Sequence, residues 1–208
     1  MSVTEFENTR WSTFAQKAEF RHHAALDLIH GGRVLDFACG DGVLLELLGH
    51  KGIDATGLDI SEAGVAACRA KGLRAEVLEV GATWPFPDDS FDYVVMLDVL
   101  EHVYDPALLL KEARRVSKEF VIIGVPNFSS LPARLQVLCG AVPENNRPHK
   151  GHVYWFNYPI LRKHLTQSNL QVVEERMNSF SIFKHFGTFF TWLSPNLFSL
   201  SFVVRVKK

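Results

Sequence analysis

Three cysteines stand in 208 residues, at 39, 68 and 139, with no C-x-x-C spacing among them. That odd, scattered set argues against a disulfide framework and against a zinc site, and fits reduced thiols in a cytoplasmic setting. Charge of one sign is also missing. The 22 Lys and Arg residues against 23 Asp and Glu leave a net charge of −1, so the basic footprint of a nucleic-acid binder is absent. No apolar run reaches the roughly 18 residues of a membrane helix. Lys184, His185, Pro195 and Asn196 interrupt the greasiest part, so no transmembrane segment is expected. The opening Met1-Ser2-Val3-Thr4-Glu5 lacks the basic and apolar regions of an export signal. What is plentiful is apolar content, 47%, enough to give residues 1–208 one full core and a single domain.

The informative stretch is Arg33-Val34-Leu35-Asp36-Phe37-Ala38-Cys39-Gly40-Asp41-Gly42. Val34 to Phe37 is too short for a helix and carries a carboxylate near its end. Two glycines follow, and then Val43-Leu44-Leu45-Glu46-Leu47-Leu48 reads as a buried helix start. Strand, glycine turn and helix form a nucleotide-type grip at the carboxyl edge of a parallel sheet. A dinucleotide fingerprint needs a third glycine three places after the second. Leu45 stands there, which weakens a pyrophosphate reading. Asp36 instead suits a ligand bearing an ammonium group. Ala55 to Ile60 reads as the next strand, closed by Asp59, whose carboxylate can accept hydrogen bonds from both ribose hydroxyls. Ammonium and ribose together describe S-adenosylmethionine.

Val34-Leu35-Asp36-x-x-Cys39-Gly40-x-Gly42 followed by Gly57-Leu58-Asp59-Ile60-Ser61 resembles motif I and its follow-on acid in class I methyltransferases. The resemblance implies an α/β fold, a Rossmann-like seven-stranded, mostly parallel sheet with flanking helices and an antiparallel last strand. It implies S-adenosylmethionine as cofactor, with contacts from Asp36, Ala38, Cys39, Gly40, Gly42, Asp59, Ile60, Gly81, Ala82 and Leu97. Ala38 departs from the glycine usual in the family and adds a methyl where cofactor and backbone run close. No acid aligns after the third strand, Leu73 to Val80, so backbone at Gly81 and Ala82 is expected to hold adenine. Trp84 to Asp92 resembles the loop into strand four of ubiquinone-type methyltransferases.

Strand four, Tyr93 to Leu97, leads into Asp98-Val99-Leu100-Glu101-His102-Val103. His102 is a candidate general base because histidine titrates near neutral pH. A cofactor-shaping role is the competing reading. Asp105-Pro106 starts a helix to Val116, and Phe120 to Val125 is a buried fifth strand. Pro126-Asn127-Phe128, Arg134 to Leu138 and Gly140 resemble the corresponding stretch of the MetW methionine-biosynthesis family, a likeness covering about residues 33–140. That likeness implies an alternative function: a regulatory subunit bound to a homoserine acyltransferase. Gly151 to Asn157 resembles a segment of small-molecule methyltransferases instead.

The polar loop 143–152 is expected to overhang the sheet's carboxyl edge and contact a small-molecule acceptor through Arg147, His149 and His152, with Asn127 beside it. Two histidines without an acid pair or cysteine lead to no expected metal. At the start of the chain, apolar residues at helical spacing predict a helix over 12–30, part of a helical lid over 1–30. Trp11 and Phe14 either cover the cofactor or pack the helix onto the sheet. Residues 126–168 are read as a substrate-side insertion and 170–208 as a C-terminal strand pair, Leu197 to Val206 being an antiparallel edge strand. Phe180, Phe183, Phe186, Phe189, Phe190 and Trp192 crowd this end. They belong to the core or form an exposed patch for a protein partner or a membrane surface.

Overall fold

A computed structural model describes residues 3–13, 16–78, 82–179 and 187–208. Strands β1 (Arg33–Phe37), β2 (Asp54–Asp59), β3 (Ala75–Val77), β4 (Phe91–Leu97), β5 (Ser117–Pro126), β6 (Gln171–Ser179) and β7 (Ser199–Lys207) form one sheet in the order β3-β2-β1-β4-β5-β7-β6. The first five run parallel, while β7 is antiparallel to both β5 and β6. The expected fold class therefore holds. One detail does not: β7 is antiparallel but internal, and β6 is the edge. The burial explains it. Phe202, Val203, Val204 and Val206 are buried on both faces, a pattern an edge strand does not need, whereas β6 is half-exposed with Glu174 and Arg176 paired at 2.7 Å.

Among the described residues, several helices begin on a readable signal. Gly42, at φ +88°, is the residue before α3 (Val43–His50). Ser61 caps α4 (Glu62–Ala70) by accepting from the Gly64 amide at 3.1 Å. Asp105 caps α5 (Pro106–Val116) through the Ala107 amide, with Pro106 in the first turn. Beyond β5 come α6 (Leu131–Leu138) and α7 (Tyr158–Gln167), the latter capped by Asn157, and then α8 (Gly187–Leu193) and the single turn α9 (Pro195–Phe198). That turn replaces the start expected for the last strand at Leu197.

The expected helix over 12–30 is two helices, α1 (Val3–Thr13) and α2 (Phe20–Asp27). Helix α2 starts where the Glu19 amide donates 3.0 Å to Nδ1 of His22, a side chain taking a backbone donor at a helix N-terminus. Helix α2 carries the apolar stripe, burying Ala24, Ala25 and Leu26 against the sheet. Helix α1 is mostly polar and docks elsewhere, against α4. On the opposite face of the sheet the main core gathers Leu35, Phe37, Val94, Met96, Phe156 and Phe202. Trp84 stacks on Phe37 with ring centres 4.3 Å apart, and Arg115 holds the Trp84 and Phe86 carbonyls at 3.2 and 2.8 Å. The loop into β4 is thus pinned from outside. Strand β3 is shorter than the expected 73–80; its final residues 79 and 80 lie outside the described set.

Candidate cofactor and acceptor site

Asp36 and Asp59 come together at the carboxyl ends of β1 and β2, where parallel pairing brings Asp36 opposite Gly57 and Val95. Asp36 is 4% exposed, and its carboxyl makes no hydrogen bond among the described residues. Burial, reinforced by the Asp59 charge, pushes its pKa up to about 8.

Asp59 is wired differently. One oxygen accepts from the Gly40 amide and the other from the Ser61 amide, both at 2.8 Å. Burial raises its pKa, and these backbone donors work against that rise. Each oxygen keeps a second lone pair, so the carboxylate can still accept from a diol. Its two bonds also join the glycine turn after β1 to the turn after β2. Ala38 is exposed and sits at φ +60°, donating its amide to the Leu58 carbonyl at 2.7 Å. Cys39 and Cys68 are buried, and a hydrogen bond between them, with burial, raises the Cys39 thiol far above its ordinary range. These are packing thiols, not nucleophiles. A side chain at Gly42 would strike Leu73 and Cys68, and one at Gly40 would lie 2.5 Å from the Trp11 ring.

Trp11 is therefore placed over the glycine turn. The same helix sends Asn8 to the start of α4, where its Oδ1 accepts from Ser61 Oγ at 2.8 Å and from the Ala63 amide at 3.2 Å. Helix α1 so covers the edge where Asp36 and Asp59 meet. Sequence reasoning named Trp11 and missed Asn8. A lone asparagine 53 residues before its partner leaves no local signal. Ile60 and Leu97 are half-buried at the ends of β2 and β4, and Ala82 is exposed. Gly81 and Phe14 lie outside the described residues.

The post-β4 segment forms a 3₁₀ turn, Leu100–His102. Glu101 is fully buried and neither carboxylate oxygen has a hydrogen bond among the described residues. Its backbone carbonyl accepts from the Val153 and Tyr154 amides at 2.8 and 3.0 Å, which fastens the end of the polar loop to this turn. His102 lies 3.3 Å from the Gly151 carbonyl through Nδ1, and burial with the adjacent His152 lowers its pKa to about 4. At that value it is a weak base, which disfavours the proton-abstracting role.

The loop's predicted acceptor residues part company. Arg147 pairs with Glu144 at 2.9 Å and His149 lies 3.7 Å from the same carboxylate, both on the exposed middle of the loop. His152 alone turns inward to Glu101 and His102. Asn127 is fully buried, its amide donating to the Asn196 and Ser199 carbonyls at 3.0 and 2.7 Å while its oxygen accepts from Ser129. Those bonds tie the end of β5 to the backbone at Asn196 and Ser199. Among the described residues of the aromatic cluster, Phe189 and Trp192 are 55% and 77% exposed, and Leu193 and, on α6, Leu138 are also exposed.

The profile of a family described as methionine biosynthesis protein MetW matches residues 18–204. The chain belongs to the MetW family. Among curated relatives of this MetW-family chain, a ubiquinone biosynthesis O-methyltransferase of Hahella chejuensis is 35% identical over 94 residues, 42% of this chain and 40% of that protein. The chain thus matches less than half the length of that relative. Among solved structures, a methyltransferase of Thermotoga maritima described as a possible histamine N-methyltransferase superposes with TM-score 0.67 at 19% identity, covering 90% of this chain and 87% of that one. The magnesium protoporphyrin IX methyltransferase of Synechocystis, with bound S-adenosylhomocysteine, gives 0.65 at 17% identity, covering 99% and 95%. At these identities the likeness is one of fold, the class I methyltransferase fold.

Proposed function

We propose that the chain is an S-adenosylmethionine-dependent methyltransferase acting on a small molecule. The observation that carries this reading is the pair of tip acids: Asp36, buried and unpartnered, and Asp59, with lone pairs left over beside the glycine turn. Asp36 fits an ammonium group, and Asp59 fits a ribose diol. The cofactor, when bound, supplies an electrophilic methyl on a sulfonium centre. The chain's own residues hold and orient. Asp36 would give up its proton to meet the ammonium, Asp59 would fix the ribose against Gly40, and Trp11 on α1 would keep water from the glycine turn. With both reactants held in line, proximity and desolvation account for most of the rate. The methyltransferase names of the three relatives described above support this reading. The same reading divides the chain into a lid in residues 1–30, a substrate-side insertion over 126–168 and a C-terminal strand pair over 170–208.

The second reading, a regulatory subunit for an acyltransferase, draws on the exposed apolar residues Leu138, Phe189 and Trp192. One variant separates the two. Asp59→Ala is expected to weaken S-adenosylmethionine binding by about 1.5–3 kcal/mol in calorimetry, the scale of hydrogen bonds to a charged group, and to reduce methyl transfer with it. Unchanged affinity rejects the assignment of Asp59. A partner complex that forms equally with the variant supports the subunit reading.

A further inference from the structure

We propose that Glu101, His102 and His152 form a binding site for one divalent transition-metal cation of the zinc type, placed where an oxygen of the methyl acceptor would enter. One ligand atom from each of the three residues lies within 4.8 Å of the others, and Nε2 of His152 is 3.9 Å from Glu101 Oε1. Metal–ligand bonds of about 2.0–2.2 Å require somewhat closer spacing, which small rotations of two imidazoles supply. The cluster lies outside the Asp36–Asp59 pair and joins His152 to His102 and Glu101, 50 and 51 positions earlier in the chain.

Two further observations point to a cation. Glu101 is fully buried, and both of its oxygens lack a hydrogen bond among the described residues. Burying such a carboxyl with no donor costs several kcal/mol unless a proton or a cation answers it. The histidines are also oriented as ligands are. Nδ1 of His152 is 2.7 Å from the Asn145 carbonyl and Nδ1 of His102 is 3.3 Å from the Gly151 carbonyl. A carbonyl only accepts, so each Nδ1 carries the hydrogen and each Nε2 presents a bare lone pair. Backbone carbonyls behind ligating histidines are the usual outer shell of a metal centre. The Val153 and Tyr154 amides on the Glu101 carbonyl fasten the two segments, so the donors are preassembled.

Two imidazoles and one carboxylate suit zinc or ferrous iron and leave coordination positions open. An open position takes an acceptor hydroxyl or carboxylate oxygen and lowers the pKa of a bound hydroxyl. This use of the cation rests on the methyl-transfer reading; binding of the cation does not.

The test is calorimetric titration of chelator-treated full-length protein with zinc chloride, repeated with cobalt(II) while the visible absorption is recorded. One cation per chain with ligand-field bands in the visible is expected. Glu101→Gln, which keeps the shape of the buried side chain, and His152→Ala, which lies on the loop, should each weaken binding at least tenfold. His149→Ala, on the exposed part of the loop, should not change it. No stoichiometric binding, or equal binding by the Glu101→Gln and His152→Ala variants, overturns the proposal. S-adenosylmethionine is titrated separately: cofactor binding without metal binding removes only the metal site, and the reverse removes only the methyl-transfer reading.

Discussion

Ala38 carries a residue-sized conflict. Its φ of +60° is a left-handed conformation that costs a non-glycine residue about 1–2 kcal/mol, yet it stands where the family uses glycine. Ala38→Gly relieves that strain, offset by roughly 0.5–1 kcal/mol of extra unfolded-chain entropy. Urea unfolding should therefore show a gain of about 0–1.5 kcal/mol, while calorimetry shows tighter S-adenosylmethionine binding because an exposed methyl is gone from the turn. Equal or weaker binding would mean the methyl points away from the cofactor. Asp36 carries the second residue-scale prediction. Its folded pKa is raised from 3.8 to about 8, so its contribution to stability is fully present below the ordinary carboxylate value and is lost as pH climbs through 8. A bound ammonium needs the ionised acid. Affinity should rise by up to about tenfold per pH unit towards pH 8 and then level, with one proton released per binding event below it. In Asp36→Asn that slope should vanish. A wild-type affinity flat across pH 5–8 would place the ammonium elsewhere.

Among the elements, α1 has the least ordinary attachment. Its sequence is mostly polar, and it is held by Asn8 at the start of α4 and by Trp11 on Gly40. Such a helix opens at low cost, because few apolar contacts are lost. Asn8→Ala removes two hydrogen bonds, about 1–2 kcal/mol of docking free energy. Hydrogen exchange should show faster opening across α1 with β1 and β4 unchanged, and stopped-flow mixing should show faster S-adenosylmethionine association. If association is unchanged while α1 exchanges faster, the cofactor enters by another route. Helix α2 is the contrast: its apolar stripe was readable at helical spacing, and it is buried on the sheet as that spacing requires. The single helix expected over 12–30 failed because the pattern gives a face and no break. The break comes from a histidine side chain at the N-terminus of α2.

For the whole molecule, alternation of short apolar runs with helical patterns was enough to read the parallel part of the sheet, β1 to β5, and the cap at Asp105. Those signals are local: they depend on hydrophobic period and on side chains bonding backbone within three residues. The same locality made Asp36, Gly40, Gly42 and Asp59 legible as one grip, since a strand end and its following turn are continuous in sequence. The position of β7 between β5 and β6 was not legible, because a buried antiparallel strand and an edge strand differ only in what lies on their far side. Nor was the meeting of Glu101, His102 and His152, which depends on two backbone hydrogen bonds spanning about fifty residues. Arg147, His149 and Asn127 looked as suitable as His152 by residue type; Glu144, Asn196 and Ser199 claimed them in the fold. By itself, then, the sequence determined the α/β class and the glycine turn between β1 and α3, both products of nearest-neighbour stereochemistry. Tertiary structure alone decided which polar side chains kept free lone pairs, because burial and distant backbone partners consume the rest.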